Sequence, residues 1–234
     1  MVHVSEDAVI LDSLISMLYP VIPPKMPDSG DDLLVLLAAT AKYDMDAIRS
    51  SIREEISRKG LFESTRARVF RVYAIAYRKN LLPEMAITAR LTLGHPLTFE
   101  SLGDTLQLFE GCALRDLVDF RLDSIRKFSA LLFDTGLSDI WAGCQIIHGE
   151  PGEDGRNWFE DFRSQLMETD KFTGAIPTSQ KLYDEYLGAL QSHIQARNCL
   201  YCMNKHVMQG ESVRVKLKNI STQAWNSPTI RSRD

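Results

Sequence analysis

The sequence predicts an all-α fold, on three observations. Apolar residues before position 210 recur at spacings of three and four, the helical period, and not at two. Most of these stretches open on Ser, Thr or Asp followed by acids, which satisfy the free N–H groups and the positive end of a helix. Most close on Pro or Gly, which stop helices.

Taken in order, Ser5 is expected to cap a helix beginning Glu6-Asp7, with Ile10, Leu11, Leu14, Ile15 and Leu18 at helical spacing. Tyr19-Pro20 ends it, and Pro20, Pro23, Pro24 and Pro27 form a rigid connector. Ser29 opens a second helix whose LLVLLAATA run is apolar nearly all round, the pattern of a central, buried helix. Asp44 is expected to cap a third, with Met45, Ile48, Ile52 and Ile56 on one face, and Gly60 to end it. A fourth runs from Ser64 to Lys79, and Pro83 suits the first turn of a fifth. Thr98 starts another, and Ala113 to Leu132 is a long amphipathic helix. Leu137 to His148 predicts a helix, GEPGEDG at 149–155 a loop, and Trp158, Phe159, Phe162 and Leu166 an aromatic helix face. Thr178 to Gln209 reads as helix in two pieces. SVRVKLKNI then alternates apolar and basic residues, a strand-like period, and NSPTIRSRD is polar enough to predict disorder.

Composition sets limits on function. The 234 residues are 44% hydrophobic and 25% charged, enough apolar supply for a sizeable core. Net charge is −4, which disfavours a general nucleic-acid coat. Residues 1–210 carry 22 basic against 29 acidic groups, and five basic residues gather after 210. No apolar run approaches the length of about 18 residues that a membrane span needs. The N-terminus has acids where a signal peptide has bases, so the chain is expected to be cytoplasmic or nuclear, and not secreted. The four cysteines then read as thiols or metal ligands rather than disulfides.

No catalytic arrangement emerges. A Ser/His/Asp set in a strand–turn–helix setting is missing, and GEPGEDG lacks the Lys of a phosphate loop. The chain is therefore expected not to be an enzyme. The one constellation with metal-binding spacing is NCLYCMNKH. On a helix, Cys199, Cys202 and His206 share a stripe, and Cys144 and His148 share a face. Cys144, His148, Cys199 and Cys202 together would form a Cys₃His tetrahedron suited to zinc, with His206 competing for the fourth place. Simple burial competes with that reading, because Cys144 shares a face with Leu137, Ile140 and Trp141. A redox pair lacks its βαβ context. No cofactor other than zinc is implied.

LDSLISMLYP, the proline connector and LLVLLAATAKYDMDAIRSSIREEI together resemble the C-terminal half of a BTB/POZ domain, with Leu36, Ala39, Tyr43 and Met45 at its helix-hairpin signature. The later VYAIAYRKNLLPEMAITARLTLGHPL, Trp141…Cys144 and the C-x-x-C resemble a group of fungal BTB-domain proteins. The resemblance implies a truncated BTB/POZ-like helical half at 1–60, a helical extension at 61–135 and a C-terminal helical bundle with the cysteines at 136–210. A basic, disordered tail at 211–234 departs from the family, as residues from a retained intron would. The resemblance further implies a protein–protein adaptor that binds another BTB chain or a cullin-type ligase scaffold; the charge disfavours nucleic acid as a partner, and no membrane is expected. Contact residues are expected at the connector and its flanks, Met17, Tyr19, Val21 and Ile22, and at Tyr43 and Met45, although the last two also suit a core. In the family a long helix and several strands precede the Ser5 helix and cover one face of the helices that follow. Without them, the face made by Ile10, Leu14, Leu18 and the 33–41 helix is expected to be only partly covered, and the chain to self-associate. The alternative function is a zinc-stabilised structural or nucleic-acid-associated domain.

Overall fold

The computed structural model describes residues 6–19, 26–60, 66–134, 162, 164, 166, 175–197 and 200–226. Among these residues the secondary structure is helical, with no strand. They divide into two compact units. One takes the described residues up to Thr92 together with Thr98–Leu117. The other takes Leu93–Leu97 and the described residues from Val118 on.

The first unit is built on α2 (Gly30–Lys42), which packs against α1 (Ala8–Leu18), α3 (Asp46–Arg58) and α4 (Arg66–Arg78). Ser29 caps α2 as the sequence predicts, accepting a hydrogen bond from Asp32 N, with Asp31 and Asp32 in the first turn. Leu33, Leu34, Leu36 and Leu37 are at most 1% exposed. Each such side chain stabilises the fold by about 1.5–3 kcal/mol. Ile10 and Leu14 of α1, Ile52 and Ile56 of α3, and Phe70 and Tyr73 of α4 complete this core. The expectation that Ile10, Leu14 and the 33–41 helix lie under a missing sheet is thus corrected. Helices α3 and α4 pack on α2 instead; Ile10, Leu14 and the α2 leucines are buried, while Leu18 and Ala41 are exposed.

Two starting points also shift. Asp7, not Ser5, caps α1, accepting from Ile10 N at 2.9 Å. Asp44 does not cap α3; it takes φ +57° in the turn between α2 and α3. Met45 precedes α3 and donates its N–H to Thr40 O at 2.9 Å. The turn after α4 repeats the device with Asn80 at φ +53°, and Leu81 N donates to Ala76 O. Asp and Asn accept this left-handed geometry better than other residues with a side chain. Helix α5 (Leu82–Thr92) follows, with Pro83 in its first turn, and packs along α4. Its Glu84 is 3% exposed and accepts a 2.7 Å bond from Arg53 Nε. Thr98 and Ser101 form a capping box on the short α6 (Phe99–Leu102), which runs into a 3₁₀ turn at Gly103–Leu108. Residues of α7 (Gly111–Asp134) up to Leu117 close the unit. Ala113 O accepts from Tyr73 Oη, and Asp116 accepts from Tyr77 Oη at 2.6 Å.

The second unit packs α8 (Ser179–Arg197) along α9 (Leu200–Asn226), the two pieces predicted for 178–209. The strand and the disordered tail are corrected as far as Asn226: residues 211–226 continue α9 as helix. Val213, Leu217, Ile220 and Ala224 are at most 2% exposed and stand at helical spacing, while Val215 is 48% exposed. The apparent alternation arises because Val213 and Leu217, four apart, satisfy both periods. Residues 227–234 lie outside the described residues, as do Trp158, Phe159, the predicted Leu137–His148 helix and the 149–155 loop. Phe162 and Leu166 are buried as expected. Two bonds tie loop to helix within the unit, Ser221 Oγ to Pro177 O at 3.1 Å and Arg121 Nη2 to His95 O at 2.7 Å, and a third, Ile176 N to Leu93 O at 2.7 Å, joins loop to turn. Burial pulls the Arg121 guanidinium down to about 10, which still leaves it charged at neutral pH.

Candidate functional site

Helix α1 carries no basic residue, and Asp12 is its only charge. One face, Ile10, Ser13 and Leu14, is buried. Successive residues turn by about 100°, so Ala8, Leu11, Ile15 and Leu18 form a stripe beside the buried Ile10–Leu14 face, with Leu11 half-buried at their border. That stripe is open: Ile15 is 55% and Leu18 47% exposed, and Tyr19 beside them is 70% exposed. Their spacings of three, four and three are those of a helix-pairing seam. An apolar surface of this kind on a soluble helix marks a contact site more often than an unused one.

The start of α1 is held by a polar cluster. Glu6 accepts from Lys42 Nζ at 2.9 Å and from Tyr43 Oη at 2.6 Å, and Lys42 lies over the Tyr43 ring at 5.0 Å. The hydrogen bond to Glu6 raises the Lys42 pKa from its ordinary value. These contacts fix the α1–α2 hairpin at the end opposite Tyr19.

Among the described residues, the expected contact residues do not form one cluster. Tyr19 is exposed and Met17 half-buried at the C-terminal end of α1. Tyr43 is partly exposed and Met45 half-buried, so neither is a core residue, and Tyr43 lies at the N-terminal end of α1, about 16 Å away along an 11-residue helix. Val21 and Ile22 lie outside the described residues. No protein-family model matches the chain, and neither a curated protein nor a solved structure does. The surface must therefore be read from its own residues. Ile15 is what the sequence reading missed; Leu18 already stood in the face expected to be only partly covered. The signal was present in Leu11, Ile15 and Leu18, which stand at helical spacing beside Ile10 and Leu14.

Of the zinc candidates, Cys144, His148 and Cys199 lie outside the described residues, and Cys202 falls on α9 with its side chain outside them as well. Among the described residues no three His, Cys, Asp or Glu side chains are grouped to hold a metal. Cys112 is exposed, its Sγ donating to Glu110 Oε2 at 3.7 Å. His206, four residues after Cys202, is half-buried against Tyr186, with ring centroids 6.4 Å apart. Its imidazole lies so close over Gly210 that a Cβ there would come within 3.1 Å of it. Nδ1 of His206 is buried with no hydrogen-bond partner among the described residues. Arg214 and Lys218 stand on the exposed side of α9, with Arg214 over the Tyr183 ring at 5.8 Å and 3.7 Å from Glu211. No helix among the described residues is long and apolar enough to cross a membrane.

Proposed function

We propose that the chain is a non-catalytic protein–protein interaction module of the BTB/POZ adaptor type, and that it pairs with a second copy of itself through the outer stripe of α1. The observation that carries this reading is the exposed Ile15–Leu18–Tyr19 surface on a helix whose Ile10–Ser13–Leu14 face is packed. The self-complementary partner follows from the seam spacing and from the absence of any basic residue in α1 that would select an acidic partner. A stripe on one 11-residue helix is smaller than the roughly 800 Å² per partner that stable dimers bury, so the pairing is weak and depends on concentration. Two differently tagged copies of the full chain test it. Wild-type chains should capture each other, and the Ile15→Glu/Leu18→Glu pair of substitutions should abolish capture while leaving the helical signal intact. Capture of a cullin-type scaffold in place of the second copy would reassign the surface to that partner. Unchanged capture by the double variant would remove α1 from the interface.

A second reading, a zinc-stabilised structural or nucleic-acid-associated domain, draws on the buried His206 Nδ1 one helical turn after Cys202. It expects about one zinc per chain, in line with a single tetrahedral site, and loss of that zinc in Cys202→Ser and in His206→Ala. Metal-free protein whose melting is unaffected by a chelator would exclude it.

A further inference from the structure

We propose that the second unit contains a binding site for a small amphipathic carboxylate, in the cavity of about 430 Å³ along α8. The inference goes beyond the interaction reading and stands without it. The cavity lies in the size range of small-molecule pockets. Its floor is apolar: Phe162, Leu166 and Ile176 line it, each at most 6% exposed. Thr178, Lys181, Glu185 and Ser192 line the rest of it, so the cavity is half polar. The Ser192 hydroxyl, at the edge, is already bonded to Gly188 O at 2.9 Å.

Gly188 supplies the independent observation. It sits inside α8, where glycine is less favourable than any residue except proline. Its φ is not positive, and a Cβ built there would meet no atom within 4 Å. Neither a turn nor a close approach accounts for the glycine. What it does is leave open the space that the cavity occupies.

The polar side chains run along α8, with Thr178 and Lys181 at its start, Glu185 one turn on and Ser192 further along. Lys181 lines the cavity in the first turn of α8, a turn that carries no acid, so the positive helix end adds to the lysine charge. Glu185 is one turn further from that end and pairs with Lys181 at 3.6 Å. An apolar body on Phe162 and Leu166 with a carboxylate at Lys181 fits both halves of the site.

Calorimetric titration of the full chain with decanoate, decanol and decyltrimethylammonium tests this. Decanoate should saturate at one per chain and bind tightest, with the ammonium weakest. Lys181 is well exposed, so Lys181→Met should weaken decanoate only about three- to fivefold, leaving decanol unchanged. Gly188→Leu should eliminate binding of decanoate with the helical signal retained, and Ala189→Phe decides the matter if that variant does not fold. The Ile15→Glu/Leu18→Glu variant should bind decanoate as the wild type does. No saturable binding, binding that survives the filling of the cavity, or a preference for the ammonium would overturn the proposal.

Discussion

Leu217→Ala is expected to cost about 2–5 kcal/mol of stability, whereas Val215→Ala should stay within about 0.5 kcal/mol. Leu217 is fully buried on α9 among Val213, Ile220 and Ala224, and Val215 points to solvent. The pair separates the two periods that the sequence allows. In a strand, residues 213, 215 and 217 would share one face, and the two substitutions would cost similar amounts. In a disordered tail neither would cost anything. Chemical denaturation followed by circular dichroism reads the difference, and equal effects would refute the helix. Removal of everything after Gly210 extends the same argument. It exposes the partners of Val213, Leu217 and Ile220, each worth about 1.5–3 kcal/mol when buried. That sum is comparable with the whole stability of a typical domain, so the second unit should lose its cooperative transition.

The second large effect lies in the first unit. Leu36→Ala is expected to lower stability by about 3–5 kcal/mol, and Leu18→Ala by less than about 0.5 kcal/mol. Leu36 is surrounded on α2, while Leu18 is nearly half exposed at the end of α1. If the α2 face waited for a sheet to cover it, truncating Leu36 would leave little additional cavity and the two costs would converge. Denaturant midpoints with an unchanged slope would report stability alone.

Much of this fold was legible because local chemistry and tertiary packing agreed. Ser29, Thr98, Gly60 and Pro83 each occupy the start, stop or first-turn role that their chemistry predicts. Asp44 was misread because an aspartate before an apolar run serves equally well as an N-cap and as a left-handed turn residue. Only the approach of α3 to α2 decides between them. The α9 error has the same form: VRVKL fits two periods, and the choice rests on burial against α8. In α1 the sequence shows neighbouring apolar stripes but not how much of each the rest of the chain covers, so Ile15 did not stand out from Ile10 and Leu14. The cavity along α8 left almost no trace in the sequence, since Gly188 inside a helical pattern has several readings until the surrounding space is seen.

Sedimentation equilibrium of the full chain, from micromolar to millimolar concentration, tests the pairing of α1 stripes most directly. The pairing predicts a reversible monomer–dimer equilibrium with a dissociation constant in that range. Ile15→Glu/Leu18→Glu should weaken it at least about tenfold, because two buried carboxylates would face each other across the seam. A wild-type chain that remains monomeric throughout, or a double variant that dimerises equally well, would contradict it.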